Sequence, residues 1–575
     1  MQCYLTKITL MKKIFLIFIT LMLLSISGFT TNYYVTVGGS DSYAGTIGSP
    51  FATLDKASTI AILPGDSIIF GAGSFLHTTQ ANIQPQVSIR GVDSTQTVIN
   101  CTYTFTPPNF GAACIVLLSA TENTNGNQSI TRLKLNGGLT ATRGILIRGR
   151  GNVLLEKISV QKFFVNGIAM YANGNPYAQP TARADGNIIR YCQVRNCGDG
   201  IVGWTYGSLI DCYGQANTQV IYNKLINIDR VNHTADIFTR LDYSVGVKFM
   251  YNDCYKPDID GTEAWNFHVE TWNIQGGCEF AYNNFYGGGI ALDFGGAINT
   301  KGTYAFSVKA YNNNFIRTTA GDESKGTHAA IHLESTTDCS DVYVFNNYIK
   351  NFSYALLISD GTAGAASYKS RLYFFNNLAE DCQWVQSWAM PVVYIDNTES
   401  PSSVWSDIYI VNNTFTAKAG KNVYGINVNA VGTTNNIIVK NNIFYNLTNS
   451  LGIANFQNKG TRSNYILQNN LAYLCGNSND PTVAGTITGY SYTGQVKSDP
   501  LFISSTDFRL QSTSPARNTG QIINLPVIGQ LAYNESAPDI GYSEYIPSSI
   551  VPSISSQTNV NCYGQSTGNA TISVT

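Results

Sequence analysis

Apolar and polar positions alternate in short bursts along most of the chain. Val342 and Val344, Leu372 and Phe374, Ile408 and Ile410, and Ile437 and Val439 take one parity, while Tyr343, Tyr373, Tyr409 and Lys440 take the other. That is the period of two expected of a strand with one buried face. The bursts end in Asn-Asn and a further apolar residue, at Asn283-Asn284, Asn312-Asn313, Asn346-Asn347, Asn376-Asn377, Asn412-Asn413, Asn441-Asn442 and Asn469-Asn470. Successive pairs lie 28 to 36 residues apart, which is regular enough for a repeat yet too loose for a helical repeat of fixed length. Self-similarity in this range marks a solenoid. Asparagine tolerates left-handed backbone and can bond its equivalents in the coils above and below, so the pattern predicts an amide ladder at an inner corner. Tyr343, Phe345, Tyr373 and Phe375 take outward or corner positions and are read as packing under loops.

This pattern resembles the right-handed parallel β-helix, or pectate-lyase-like, family over most of the chain. The expected fold class is all-β: a single-stranded right-handed parallel β-helix (solenoid) with an N-terminal amphipathic helix cap. For that cap, Ser49 and Pro50 read as N-cap and first helical residue, with Phe51, Leu54, Ala57, Ile60 and Ala61 as the apolar stripe. The segments YYVT, GSPFATLDKAS and LPGDSIIFGAGSF resemble the opening of secreted bacterial β-helix proteins, and DPLFISSTDFRLQSTSPARNTG their close.

Composition fits this picture and narrows the partners. Charged residues are 12% of the chain, against about 25% in typical globular proteins. The formal net charge of -1 gives no electrostatic case for nucleic acid or an anionic membrane. Residues 1–30 read as a signal peptide, with Met11 as initiator, Lys12 and Lys13 before an apolar run, and small residues after it. The run is too short for a comfortable membrane span, so an extracellular or cell-surface, monomeric protein is expected. Export permits disulfides, with Cys192, Cys197 and Cys212 the candidates; the alternative is that the cysteines are small buried hydrophobes. The β-helix is expected over 31–546 and a Pro/Ser linker over 547–556. Residues 557–575, with Cys562, Gly564 and Gly568, resemble the start of an SprB-type repeat of Bacteroidetes surface adhesins.

Candidate chemistry follows from parity. In WNFHVETWNI, inward Phe267 and Val269 leave His268 and Glu270 outward; in GGIALDFGG, Asp293 points out; in HAAIHLES, His332 and Glu334 do so; and Asp396 passes the same test. Equivalent positions of successive coils lie about 4.8 Å apart, a spacing from which paired carboxylates can serve a glycosidase. Trp265 and Trp272 offer sugar-stacking faces. A lyase would instead use Lys248, with Arg240 close in sequence, and Asp258, Asp260 and Glu263 around Gly261 form a set of hard oxygen ligands suited to Ca2+, with a plain polar turn as the alternative. The expected catalytic residues are therefore His268, Glu270, Asp293, His332, Glu334 and Lys248, with Arg240, Trp265, Trp272 and Asp396 binding substrate.

Two function classes remain open. One is a secreted protein that binds, and cleaves by lyase or hydrolase chemistry, a polysaccharide or cell-surface glycan; the other is a non-catalytic adhesin or rigid stalk.

Overall fold

The computed structural model describes residues 30–546, except 108, 175–177, 199–206, 229–238, 257–266, 275, 294–306, 318–328, 336–338, 361–365, 383–388, 399 and 419, together with 552–558 and 569–574. The signal segment and Cys562 lie outside these residues. Two compact units are present, 1–298 with 325–327 and 299–324 with 328–575.

In the first unit each coil contributes one strand to each of three parallel sheets. Lys248–Met250 belongs to the first sheet, Asp253–Tyr255 to the second and Phe267–Trp272 to the third. The chain then returns as Glu279–Ala281, parallel to Lys248–Met250 with Phe249 opposite Phe280. This is the right-handed parallel β-helix. Its interior consists of stacked columns, of which Ile168–Ile210–Thr239–Val269 and Met170–Cys212–Leu241–Thr271 belong to the third sheet. All eight side chains are fully buried.

The corner between the first and second sheets carries the ladder. The backbone N–H and Nδ2 of Asn223 both donate to Asn252 Oδ1 at 3.0 Å, and Asn252 treats Asn283 in the same way. Each preceding residue has left-handed backbone, and in this unit it is a tyrosine: Tyr222, Tyr251 and Tyr282 at φ 57, 58 and 57°. Their exposed rings stack on one another and on Tyr191, with centroids 5.2, 4.7 and 4.8 Å apart.

The cap helix spans Leu54–Ile60 and is capped by Thr53, whose hydroxyl accepts from Lys56 N. It therefore begins four residues after Ser49. Phe51 is held in a parallel bridge with Val35, and that extended backbone keeps the helix from starting earlier. Leu54, Ala57 and Ala61 are buried, whereas Ile60 is 37% exposed.

The second unit repeats the three-sheet coil. Its ladder runs Asn313, Asn347, Asn377, Asn413, Asn442 and Asn470, each donating to the Oδ1 of the next. The left-handed residues before them are Asn312, Asn346, Asn376, Asn412, Asn441 and Asn469. Inside the coil, Lys369 Nζ lies 3.3 Å from Asp360 Oδ1 and 4.1 Å from the centre of the Trp405 ring.

Residues 499–546 fold back over the second unit. Ile523, Leu525 and Leu531 cover Tyr343, Tyr373 and Phe375 on the first sheet, as the reading of those aromatics as loop-covered expects. Asn441 clamps this strap through Nδ2 to Gln521 O and Oδ1 from Gln521 N, at 2.8 and 2.9 Å. Pro552–Thr558 and Asn569–Val574 pair antiparallel. Every described cysteine is free, and all but Cys475 are buried, so Cys192, Cys197 and Cys212 act as small hydrophobes. No described helix is long and apolar enough to cross a membrane.

Candidate functional site

Outward positions of the third sheet in the first unit form two adjacent columns. The first runs Ala169, Asp211, Arg240, Glu270 and Ala291; the second runs Tyr171, Tyr213, Asp242 and Trp272. They face out because the residues between them, Ile210, Cys212, Leu241 and Thr271, fill the coil. Three carboxylates, a guanidinium and an indole thus share one face.

Within it, Arg240 Nε lies 2.9 Å from Asp242 Oδ2, and its guanidinium sits 4.8 Å from the centre of the Trp272 ring. The Tyr171 hydroxyl donates to Asp211 Oδ2 at 2.6 Å. Asp242 is 8% exposed and its Oδ1 is buried without a hydrogen-bond partner among the described residues, whereas Trp272 is 43% exposed. Burial pushes the Asp242 carboxyl up to about 8; Arg240 opposes the shift and the charges of Asp211 and Glu270 reinforce it. The ion pair taken alone favours the carboxylate. Desolvation and two neighbouring acids outweigh it, so the neutral acid is the form held below about pH 8.

Arg240, Glu270 and Trp272, all expected from the sequence, lie together here. Asp293 ends the next strand of the same sheet, Gly289–Asp293, one residue beyond the Thr271–Leu292 pair. His268 does not join them. The register shifts between Phe267 and Val269, and a bulge of this kind breaks the alternation from which an outward ring was inferred. The imidazole is fully buried, bonded through Nε2 to Tyr286 O at 2.9 Å and stacked on Phe285. Lys248 is exposed as expected, but on the first sheet between Gln219 and Glu279, a different face from Glu270. Trp265 and the calcium candidates Asp258, Asp260 and Glu263 lie outside the described residues. Among those that are described, no group of three or more His, Cys, Asp or Glu side chains is arranged to hold a metal ion.

In the second unit, Glu334, Ser359, Asp396 and Asn429 form one register column of the third sheet. Asn429 Nδ2 donates to both Asp396 Oδ1 and the Tyr394 hydroxyl at 3.1 Å, and burial raises the Asp396 carboxyl. His332 has outward parity yet is only 3% exposed. Its Nε2 lies 2.8 Å from Ser359 Oγ, and burial lowers its pKa to about 3. The ring is therefore neutral near pH 7.

Asp211 and Asp242 were not among the expected residues. Their signal is the same parity, in SLIDCY and TRLDYS, but the neighbouring corners read Tyr-Asn rather than Asn-Asn, so the repeat that sets register did not extend to them.

No protein-family model matches the chain, and no curated protein matches it. Among solved structures it is similar to an alginate lyase from Paenibacillus, with 14% identity over 55% of this chain and 97% of that one and a TM-score of 0.31. It is also similar to the catalytic unit of a thermostable α-1,3-glucanase from Streptomyces thermodiastaticus, at 11% identity over 81% and 69% of the two chains and a TM-score of 0.37. A third is an N-terminal fragment of bacteriophage Phi29 gene product 12, at 12% identity over 80% and 87%, with a TM-score of 0.39.

Proposed function

We propose that the protein is a secreted polysaccharide-active hydrolase whose site is the outward face of the first unit. The observation that carries this reading is the convergence of Asp211, Asp242 and Glu270 around Arg240, beside an exposed tryptophan. Asp242 and Glu270 are one coil and two positions apart, so strand geometry separates their Cα atoms by about 8 Å. Carboxyl groups held at that spacing leave room for the water of an inverting hydrolysis.

In the proposed reaction a sugar ring stacks on Trp272. Asp242 gives its proton to the glycosidic oxygen as the bond to the anomeric carbon breaks. Glu270 takes a proton from the water that attacks the same carbon, and the products are a new reducing end and a free hydroxyl. Arg240 holds Asp242 in place, and Tyr171 fixes Asp211. Lys248, offered for a lyase, is on the first sheet, a different face from Glu270 and Arg240.

The test is incubation of the full chain with a panel of neutral and acidic polysaccharides. New reducing ends without an ultraviolet-absorbing unsaturated product are expected from at least one, falling by about 100-fold or more in Asp242→Asn. Unsaturated product would indicate a lyase, and retention without cleavage a binding module; either would overturn the hydrolase reading.

A further inference from the structure

The second unit contains a cleft that the site described above does not use. Where the strap leaves the second sheet, a cavity of about 470 Å3 opens between the strand ends and residues 499–511, a size typical of small-ligand sites. One wall carries Asp381, Lys418 and Tyr445, and the other Asp499, Phe502 and Phe508.

The walls are built before any ligand arrives. Phe502 packs edge-on against Tyr445 at 5.4 Å and against Phe508 at 5.1 Å. The strap segment is pinned by Ile503 N to Arg509 O and Gln511 N to Leu501 O, both 2.9 Å, and by Ser514 Oγ to Pro500 O at 2.6 Å. Asp499 Oδ1 accepts from Leu501 N at 2.9 Å. The Asp381 carboxylate is half-buried and accepts no hydrogen bond from any described residue, although its backbone N–H is bound by Thr416 Oγ1 at 3.1 Å. Lys418 is exposed at the rim, and its charge acts on the Asp381 carboxyl.

We propose that this cleft binds a neutral saccharide, one or two hexose units long. The rings of Tyr445, Phe502 and Phe508 suit the C–H face of a pyranose, and the Asp381 and Asp499 carboxylates and the Lys418 ammonium suit its hydroxyls. Two carboxylates against one ammonium at the cleft favour a neutral sugar over a polyanion. Asp381 is the chief acceptor, since a carboxylate bonds a hydroxyl more strongly than a neutral acceptor does. The inference concerns the second unit's own residues and does not depend on the hydrolase reading.

The experiment is saturation-transfer NMR on the full chain with maltose, cellobiose and laminaribiose as separate probes. Transfer to the ring protons of at least one is expected in the Trp272→Ala variant, which lacks the first unit's stacking ring, and is reduced about fivefold or more when either Asp381→Ala or Phe502→Ala is added. Circular dichroism of each variant checks that the fold is kept, and Asp381→Ala, which removes a half-buried surface carboxylate, decides the case should Phe502→Ala unfold. The proposal is overturned by absence of transfer from all three sugars, by transfer that survives Asp381→Ala, or by loss of transfer in Trp272→Ala, which would move the binding to the first unit. Transfer to n-butylamine in place of the sugars would overturn it as well, by making the cleft a cation site.

Discussion

At the six ladder corners of the second unit the first asparagine supplies left-handed backbone and the second supplies the amide that bonds along the stack, whereas at Asn283-Asn284 the first asparagine is itself the ladder amide and Tyr282 takes the left-handed position. Asn376 sits at φ 55°, while Asn377 accepts from both the N–H and Nδ2 of Asn347 and donates to Asn413 Oδ1 and Val344 O. Asn377→Leu strands two buried donors of Asn347 and should cost about 3 kcal/mol or more. Asn376→Gly, which suits left-handed backbone, should change stability by less than about 1 kcal/mol; thermal unfolding of the two variants separates the roles. Asp242 carries a second residue-scale prediction. Its carboxyl is held well above the usual aspartate range, so the folded state binds more protons than the unfolded one between about pH 4 and 8. Stability is therefore fully present below about pH 4 and is lost as pH rises towards 8. Thermal melts across this range should show that decline, and Asp242→Asn should flatten it.

At the scale of elements, the strands and corners were legible in the sequence because both depend on local pattern: alternation for the strand, asparagine for the turn. Where a single residue interrupts the pattern, legibility stops. The bulge before Val269 turned His268 inward, and the Val35–Phe51 bridge moved the start of the cap helix from Ser49 to Thr53. Tyrosine in place of the first asparagine hid the ladder upstream of Asn283, since a bulky residue is rare in left-handed backbone; here stacking of Tyr191, Tyr222, Tyr251 and Tyr282 offsets the strain. The strap is an element whose place sequence pattern could not give, because it packs through scattered apolar residues. Leu525 is 2% exposed among Tyr343, Tyr373 and Ile438. Leu525→Asp should lower stability by about 3 kcal/mol or more and make residues 499–546 susceptible to proteolysis, read by mass spectrometry of a limited digest.

For the molecule, the fold and the outward parity of Glu270 and Trp272 followed from one repeat, but the chemistry of the proposed face did not. The repeat pointed to Glu270 and Trp272, whereas the buried acid, Asp242, is set by register with Tyr213 and Trp272 and by desolvation, neither of which is written in a short motif. The substrate side is tested by Trp272→Ala, which should raise KM by about 10-fold with a smaller change in kcat. The central claim is that Asp242 is a protonated acid at neutral pH. Carboxyl 13C NMR of aspartate-labelled protein, with Asp242→Asn to assign the resonance, measures this directly. The account predicts titration near pH 8; titration near pH 4 would contradict it.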